Sequence, residues 1–158
     1  MVGSNANPWT PPGGGNGRRR HGWGASLMAD KGTLLLMLYD KAIRSMEEAV
    51  DLIEAGDMVG KGERLIRAQD IVLLLADALD KDSEDPNAAS IARNLERTYL
   101  YVYQRLIRGN NYLDRGAIRE ARRLMGRLQE AWTQVVADAA TAAAVMPAPA
   151  LRPVLAAV

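Results

Sequence analysis

The chain has 158 residues, with 20 basic and 19 acidic side chains and a formal net charge of +1, which is the length of one ordinary domain. It contains no cysteine, so disulfides, thiolate metal sites and thiol nucleophiles are excluded. Residues 1–28 hold three arginines and no acid, so the rest of the chain carries 17 basic and 19 acidic side chains. This balance argues against charge-driven nucleic-acid binding by the folded part. No stretch approaches the roughly 20 apolar residues of a membrane span, so membrane insertion is not expected.

Composition divides the chain into three parts. Residues 1–28 are rich in glycine and proline and are predicted to be a disordered, arginine-containing tail. Residues 29–141 show helical periodicity and are predicted to form the folded domain, whereas residues 142–158 form an Ala- and Pro-rich tail. No apolar segment follows Arg18 to Arg20, so a secretory signal is not expected, and Met28 is an alternative start of the chain.

Four amphipathic helices are predicted in the folded part. Capping residues and helix-breaking glycines set their expected bounds, which are Asp30 to Gly56, Asp57 to about Asp80, Asn87 to about Arg108, and Asp114 to about Ala140. The sequence Gly109-Asn110-Asn111 is expected to end the third helix. Because the connections are short, the fold class is predicted to be all-α, an antiparallel up-down four-helix bundle with disordered N- and C-terminal tails.

Three of these helices carry more apolar residues than one core stripe needs. The first opens with five consecutive apolar residues at 34–38, and at about 100° per residue Leu36 and Met37 fall within its polar arc. In the second, Ile66 and Leu73 form a stripe beside the core stripe. In the third, Tyr101 lies among polar residues. If these surfaces adjoin, they form a groove for an amphipathic helix or an extended apolar segment.

The same segments resemble the flagellar export chaperone family, FliS, in order and spacing. The resemblance covers residues 29–137 and rests on four sequence features. These are LLLMLYD at 34–40, Arg67-Ala68-Gln69 with Ile71, Asn94-Leu95 with Tyr99, and Trp132 near the end. The chain departs from the family at Lys41, where a glycine is usual, and in lacking a Tyr- and Gln-rich N-terminal segment.

The resemblance implies a cytoplasmic chaperone, not an enzyme, that needs no cofactor. Its expected partner is the disordered C-terminal segment of flagellin, which it would keep from polymerising before export. Export-apparatus components are further candidate partners, and a monomer or weak homodimer is expected. The predicted partner-binding residues, from family motifs and surface pattern together, are Leu36, Met37, Tyr39, Asp40, Ile66, Gln69, Leu73, Asn94, Tyr99 and Tyr101.

No catalytic or metal site is predicted. The single histidine, His21, lies in the glycine-rich tail, whereas di-iron and phosphotransfer bundles need a histidine on a helix of the bundle. The acidic segment 80–85 has Asp85 where a calcium loop needs glycine. A second hypothesis is that Arg18 to Arg20 and Trp23 contact nucleic acid or anionic lipid, although a solvated tail is the preferred interpretation. A third is a helical adaptor without a flagellar client.

Overall fold

Four helices make up the part of the chain that the structure describes. The computed structural model describes the backbone of residues 19–145 and the side chains of residues 30–145. The helices are α1 (Arg19–Glu54), α2 (Met58–Asp77), α3 (Pro86–Tyr112) and α4 (Arg115–Val145). Both α1 and α3 pack against α2 and α4, so the predicted antiparallel up-down bundle is confirmed. Within the described residues, no helix is long and apolar enough to cross a membrane.

A single apolar core runs along the bundle, and each helix contributes to it. The largest fully buried side chains are Tyr39, Met46, Leu65, Val72, Tyr99, Val102, Leu106, Ile118 and Met125. They recur three, four or seven residues apart within each helix, as expected for one face of an amphipathic helix. Burial of each large side chain contributes about 1.5–3 kcal/mol, so the core holds the four helices in fixed register.

The first helix begins earlier than the sequence predicted. Asp30 was expected to be its N-cap, but α1 starts at Arg19 and Asp30 lies inside the helix. Gly22 and Gly24 are no barrier, because a glycine inside a helix costs about 1 kcal/mol relative to alanine and extending an existing helix needs no new nucleus. The side chains of residues 1–29 and all of residues 146–158, including Trp9 and Trp23, lie outside the described residues. The division of the chain at residues 28 and 141 stays a prediction.

Aspartate side chains begin α2 and α3. Asp57 is the N-cap of α2, and its carboxylate accepts a 2.8 Å hydrogen bond from the Gly60 N–H. The N-cap of α3 is Asp85, not the predicted Asn87, because the Asp85 carboxylate accepts a 2.9 Å bond from the Asn87 N–H. Pro86 then occupies the first helical position, where its missing N–H costs nothing.

The third helix continues past the predicted stop at Gly109 and ends at Tyr112. Gly109 packs so closely on the Ile118 side chain that a Cβ there would overlap it, so this glycine allows close approach of α3 and α4 and does not end the helix. The chain turns instead at Leu113, whose φ is 54°. The buried Lys61 ammonium of α2 donates to the Asn110 backbone oxygen at 2.9 Å and to its Oδ1 at 2.7 Å. Lys61 therefore caps the end of α3 from a neighbouring helix.

Candidate partner-binding surface

Two of the predicted partner-binding residues lie in the core. Tyr39 is 0% and Tyr99 is 1% exposed, and their hydroxyl groups hydrogen-bond to each other. Burial raises the pKa of both phenols above the ordinary tyrosine value, and the coulombic effect of Tyr99 adds to the rise at Tyr39. Neither ring is accessible to a partner in this conformation. Their contribution to a binding surface is indirect, because they fix α1 against α3 at mid-bundle.

The two apolar residues predicted for the polar arc of α1 differ in their exposure. Met37 is 62% exposed, as expected. Leu36, in contrast, is half-buried and packs against the core. The side of α1 that carries Leu36 faces α4, since Glu47 on the same side accepts a 2.5 Å hydrogen bond from Arg122 of α4. Asp40 is half-buried and pairs with Arg44 one turn along the same helix at 2.9 Å.

An apolar strip follows the junction between α2 and α3. Two cross-links fix the antiparallel register of this pair: Lys61 binds Asn110, and Lys81, just past the end of α2, binds Glu96 at 2.6 Å. In that register Ile66 lies level with Ile107, and Leu73 lies level with Leu100. Residues seven apart on a helix point in nearly the same direction. Each helix therefore presents two apolar side chains in line, and the register brings the two pairs to the same levels along the bundle.

These side chains remain accessible after the bundle has closed. Ile66 is 52%, Leu100 is 44% and Ile107 is 36% exposed, while Leu73 is half-buried. Gln69, also half-buried, lies on α2 between Ile66 and Leu73. We call this strip the α2–α3 seam, formed by Ile66, Gln69, Leu73, Leu100 and Ile107.

A second apolar area lies on the other side of α2, toward α1. Leu34 is 57%, Met37 is 62% and Leu74 is 54% exposed. The ion pair between Glu48 and Arg64, 2.6 Å long, sets a register in which Leu74 is level with Leu38. An open depression of about 450 Å³ adjoins this area and is lined by Leu38, Lys41, Glu63, Ile66, Arg67, Asp70 and Ile71. Because Ile66 lines this depression and also belongs to the α2–α3 seam, the two apolar areas meet at Ile66 on the outer surface of α2.

The remaining two predicted residues face α4. Tyr101 is 43% exposed and donates a 2.6 Å hydrogen bond to Glu120. Glu120 also pairs with Arg105 at 2.7 Å. The bond from Tyr101, with the nearby arginines, lowers the pKa of Glu120, and the same bond raises the pKa of Tyr101. Asn94 is exposed and, being seven residues before Tyr101, lies on the same side of α3.

The predicted residues therefore do not line one groove. The structure places Ile66, Gln69 and Leu73 together on the α2–α3 seam, and it places Asn94 and Tyr101 on the α3–α4 side. The sequence suggested one groove if the surplus apolar residues of the three helices adjoin, but the two sides of α3 face different neighbouring helices. Among the described side chains, no group of three or more His, Asp or Glu is arranged to hold a metal ion.

Several surface residues that complete these areas were not predicted as binding residues. They are Leu34, Leu74, Leu100 and Ile107. The signal for Leu100 and Ile107 is present in the sequence, because their seven-residue spacing repeats that of Ile66 and Leu73 on the preceding helix. Which neighbour each pair faces depends on bundle geometry, which the spacing alone does not give.

Comparison with known proteins identifies the family. The family model described as "Flagellar protein FliS" matches residues 23–139. The chain is 33% identical over 111 residues to the flagellar secretion chaperone FliS of Salmonella typhimurium, covering 70% of this chain and 80% of that protein. It is 32% identical over 108 residues to the flagellar secretion chaperone FliS of Bacillus subtilis, covering 68% of this chain and 77% of that protein. The chain belongs to the FliS family of flagellar secretion chaperones.

Proposed function

We propose that this chain binds the C-terminal segment of flagellin in the cytoplasm and keeps it from polymerising before export. The support is the FliS family membership together with the apolar side chains that remain exposed around α2. A chaperone of this kind acts by mass action, because it withdraws the aggregation-prone segment from self-association in proportion to its concentration and affinity. The proposed role needs no chemical step and no cofactor.

The α2–α3 seam is the observation on which this proposal depends. Its paired residues are separated by seven positions on each helix, which corresponds to about 10 Å along the bundle. A helical segment with apolar side chains at matching spacing can lie along such a strip, as in other helix-in-groove complexes. Contiguous exposed apolar surface of this kind is a common mark of a protein-binding site.

A client must contact more than the seam. Folding of a disordered segment on its partner costs about 2–5 kcal/mol of the gross interaction energy, and the four apolar side chains of the seam offer limited area. The second apolar area, formed by Leu34, Met37 and Leu74, extends the surface around α2. We therefore propose an extended client that continues from the seam over the outer side of α2 toward α1.

The direct test is calorimetric titration of the last ~40 residues of a co-encoded flagellin, a length able to bury the area typical of coupled folding and binding. The test variant is Ile66→Asp with Ile107→Asp, which places two carboxylates on the seam. The matched control is Val59→Asp with Tyr112→Asp, since both residues are 75% exposed at the end of the bundle where α2 begins and α3 ends. Expected is a loss of at least ~100-fold in affinity for the test variant and less than ~3-fold for the control.

Two outcomes would overturn the proposal. One is a folded wild-type chain that produces no binding heat with the flagellin segment. The other is equal weakening by the seam and control variants, which would mean that the seam is not the contact surface. Light scattering provides a functional readout: a stoichiometric amount of the chain is expected to suppress flagellin polymerisation, and the seam variant is expected to fail to do so.

A further inference from the structure

Charge is distributed unevenly over the bundle. The helices α3 and α4 together contain nine arginines and four acidic residues, a net of +5. Residues 30–54 of α1 and all of α2 contain six basic and nine acidic residues, a net of −3. The near-neutral total thus conceals one basic and one acidic half, and a local field can guide a charged partner even when the net charge is small.

Six of the nine arginines are engaged within the protein. Their partners are carboxylates for Arg105, Arg108, Arg115, Arg119 and Arg122, and the Lys81 backbone oxygen for Arg93. The other three, Arg97, Arg123 and Arg127, are exposed and make no hydrogen bond or ion pair with the described residues. Their guanidinium groups are therefore available to an external carboxylate or phosphate.

The three available arginines lie on the outer surface of α3 and α4, with Arg123 at the edge, where it also lines a depression against α1. The pairs Arg105–Glu120 and Arg108–Asp114, both 2.7 Å, fix the antiparallel register of α3 and α4. In that register Arg127 is level with Arg97, and Arg123 is level with Tyr101. Arg123 is close enough to Glu120 to help lower the pKa of that carboxyl. We call this surface the arginine face, formed by Asn94, Arg97, Tyr101, Arg123 and Arg127.

We propose that the arginine face binds an acidic amphipathic helix of a second protein, at a place separate from the client surface. Arg123 and Arg127 are one turn apart, about 6 Å along the axis, which matches carboxylates four residues apart on a partner helix. The half-exposed Tyr101 ring supplies an apolar contact, and its hydroxyl is held by Glu120. Asn94 adds an amide that can donate and accept.

A polypeptide fits this surface better than a nucleic acid does. Glu120 places a carboxylate beside Tyr101 and Arg123, and that charge repels a continuous phosphate backbone. Discrete carboxylates on a helix can avoid Glu120 and still reach the three arginines. Because this face and the α2–α3 seam lie on opposite sides of α3, the acidic helix and the flagellin segment can bind together. The proposal stands whether or not flagellin is the client.

The test uses a fluorescent synthetic helical peptide with glutamates four residues apart and one leucine stripe, measured by anisotropy on the full chain. The reversal variant is Arg97→Glu, Arg123→Glu and Arg127→Glu. The control is Lys31→Glu, Lys41→Glu and Arg67→Glu, which changes the net charge equally and alters three exposed cations of the other half. Expected is a loss of at least ~10-fold for the reversal variant and less than ~3-fold for the control, with both variants folded by circular dichroism.

Further measurements distinguish the acidic helix from a net-charge effect, a nucleic acid and a second copy of the chain. Equal weakening by both triple variants would overturn the proposal, since it would show that only net charge matters. Tighter binding of a single-stranded oligonucleotide than of the acidic peptide would overturn it in favour of nucleic acid. Self-association of the wild-type chain that the reversal variant abolishes, seen by sedimentation without peptide binding, would overturn it in favour of contact with the acidic half of a second copy. Flagellin-segment binding is expected to persist in the reversal variant.

Discussion

The two long sides of α3 differ in chemistry. Toward α2 it presents the exposed aliphatic side chains of Leu100 and Ile107. Toward α4 it presents Tyr101 and Arg105, both bound to Glu120. Leu100 and Tyr101 are consecutive in the chain, yet about 100° of rotation separates them on the helix. One helix can therefore serve two surfaces, and adjacent residues can belong to different ones.

The difference also predicts what each side contributes to binding. Covering apolar surface stabilises a complex by roughly 25 cal/mol per Å² before the costs of association. Exposed ion pairs contribute little to stability, and charged surfaces affect association rate and partner choice more than affinity. We therefore expect the seam to supply affinity for a client and the arginine face to supply selectivity.

The largest predicted effect is a difference in affinity for the flagellin segment between substitutions at the neighbouring residues Leu100 and Tyr101. Leu100→Asp places a charge in the seam, so its affinity for the flagellin segment is expected to fall at least ~10-fold. Tyr101→Asp lies on the other side of α3 and is expected to change that affinity less than ~3-fold. Calorimetry on the two variants measures both values. Equal weakening of client binding by Tyr101→Asp and Leu100→Asp would show that the two sides of α3 are not separate binding surfaces.

A second prediction concerns the two lysine cross-links that fix the register of the seam. Lys61→Ala removes a buried side chain and leaves the half-buried oxygen atoms of Asn110 without their donor, and an unsatisfied polar group costs up to about 1–3 kcal/mol when it is buried. Lys81→Ala removes a single half-exposed ion pair with Glu96. Urea unfolding is expected to show a clearly larger loss for Lys61→Ala than for Lys81→Ala. Equal losses would show that Lys61 does not anchor the end of α3.

The buried phenol pair predicts a dependence of stability on alkaline pH. Burial raises the folded-state pKa of Tyr39 and Tyr99 above the unfolded value of about 10. Their contribution to the free energy of unfolding is thus fully present below pH ~10 and is lost as the pH rises toward the folded-state pKa values. The loss is about 1.4 kcal/mol per pH unit for each phenol that ionises only in the unfolded chain. Unfolding measured between pH ~9 and ~11 is expected to show this slope.

The matching variant is Tyr39→Phe with Tyr99→Phe, which removes both hydroxyl groups together. Replacing both partners of a buried hydrogen bond by apolar groups of similar shape is nearly neutral, but the buried Trp132 N–H also bonds to these hydroxyl groups and would lose its acceptor, so a small loss of stability is expected at neutral pH. Above pH ~10 the double variant is expected to lose stability less steeply than the wild type. An unchanged slope would mean that the phenols are not the buried titrating groups.

The smallest predicted effect lies on the arginine side of α3. The hydrogen bond from Tyr101 lowers the folded-state pKa of Glu120. The ionised Glu120 therefore contributes to the free energy of unfolding above the unfolded glutamate pKa. This contribution is lost as the pH falls through the lowered folded-state pKa. Glu120→Gln is expected to flatten the acid side of the stability profile slightly and to leave client binding unchanged. Thermal melts between pH ~3 and ~7 measure the change.

Much of the bundle could be predicted from the sequence because its helices have strong apolar periodicity and short connections. Helix ends were less predictable. Gly109 resembles a helix stop, but it is needed for contact with Ile118 of the next helix. That contact exists only in the folded bundle. Asp30 resembles an N-cap, but nothing in the preceding residues forces the helix to begin there.

The binding surface was harder to predict than the fold, for a geometric reason. Helical periodicity identified Met37, Ile66 and Tyr101 as surplus surface residues, and all three are exposed. Whether such residues adjoin depends on which helices are neighbours and on their register, and a single helix does not encode either. Tyr39 and Tyr99, taken from the family motifs, are buried. A position in a family motif can serve the fold or the binding site, and the motif alone does not distinguish these two roles.

The most direct test of client binding at the α2–α3 seam is methyl NMR of the chain labelled at isoleucine and leucine, with and without the flagellin segment. The methyl signals of Ile66, Leu73, Leu100 and Ile107 are expected to shift together on binding. Ile91, which is 42% exposed near the start of α3 and outside the seam, provides the internal reference and is expected to stay unchanged. Shifts confined to Ile91 and its surroundings, with the four seam residues unaffected, would show that the flagellin segment does not bind at the seam.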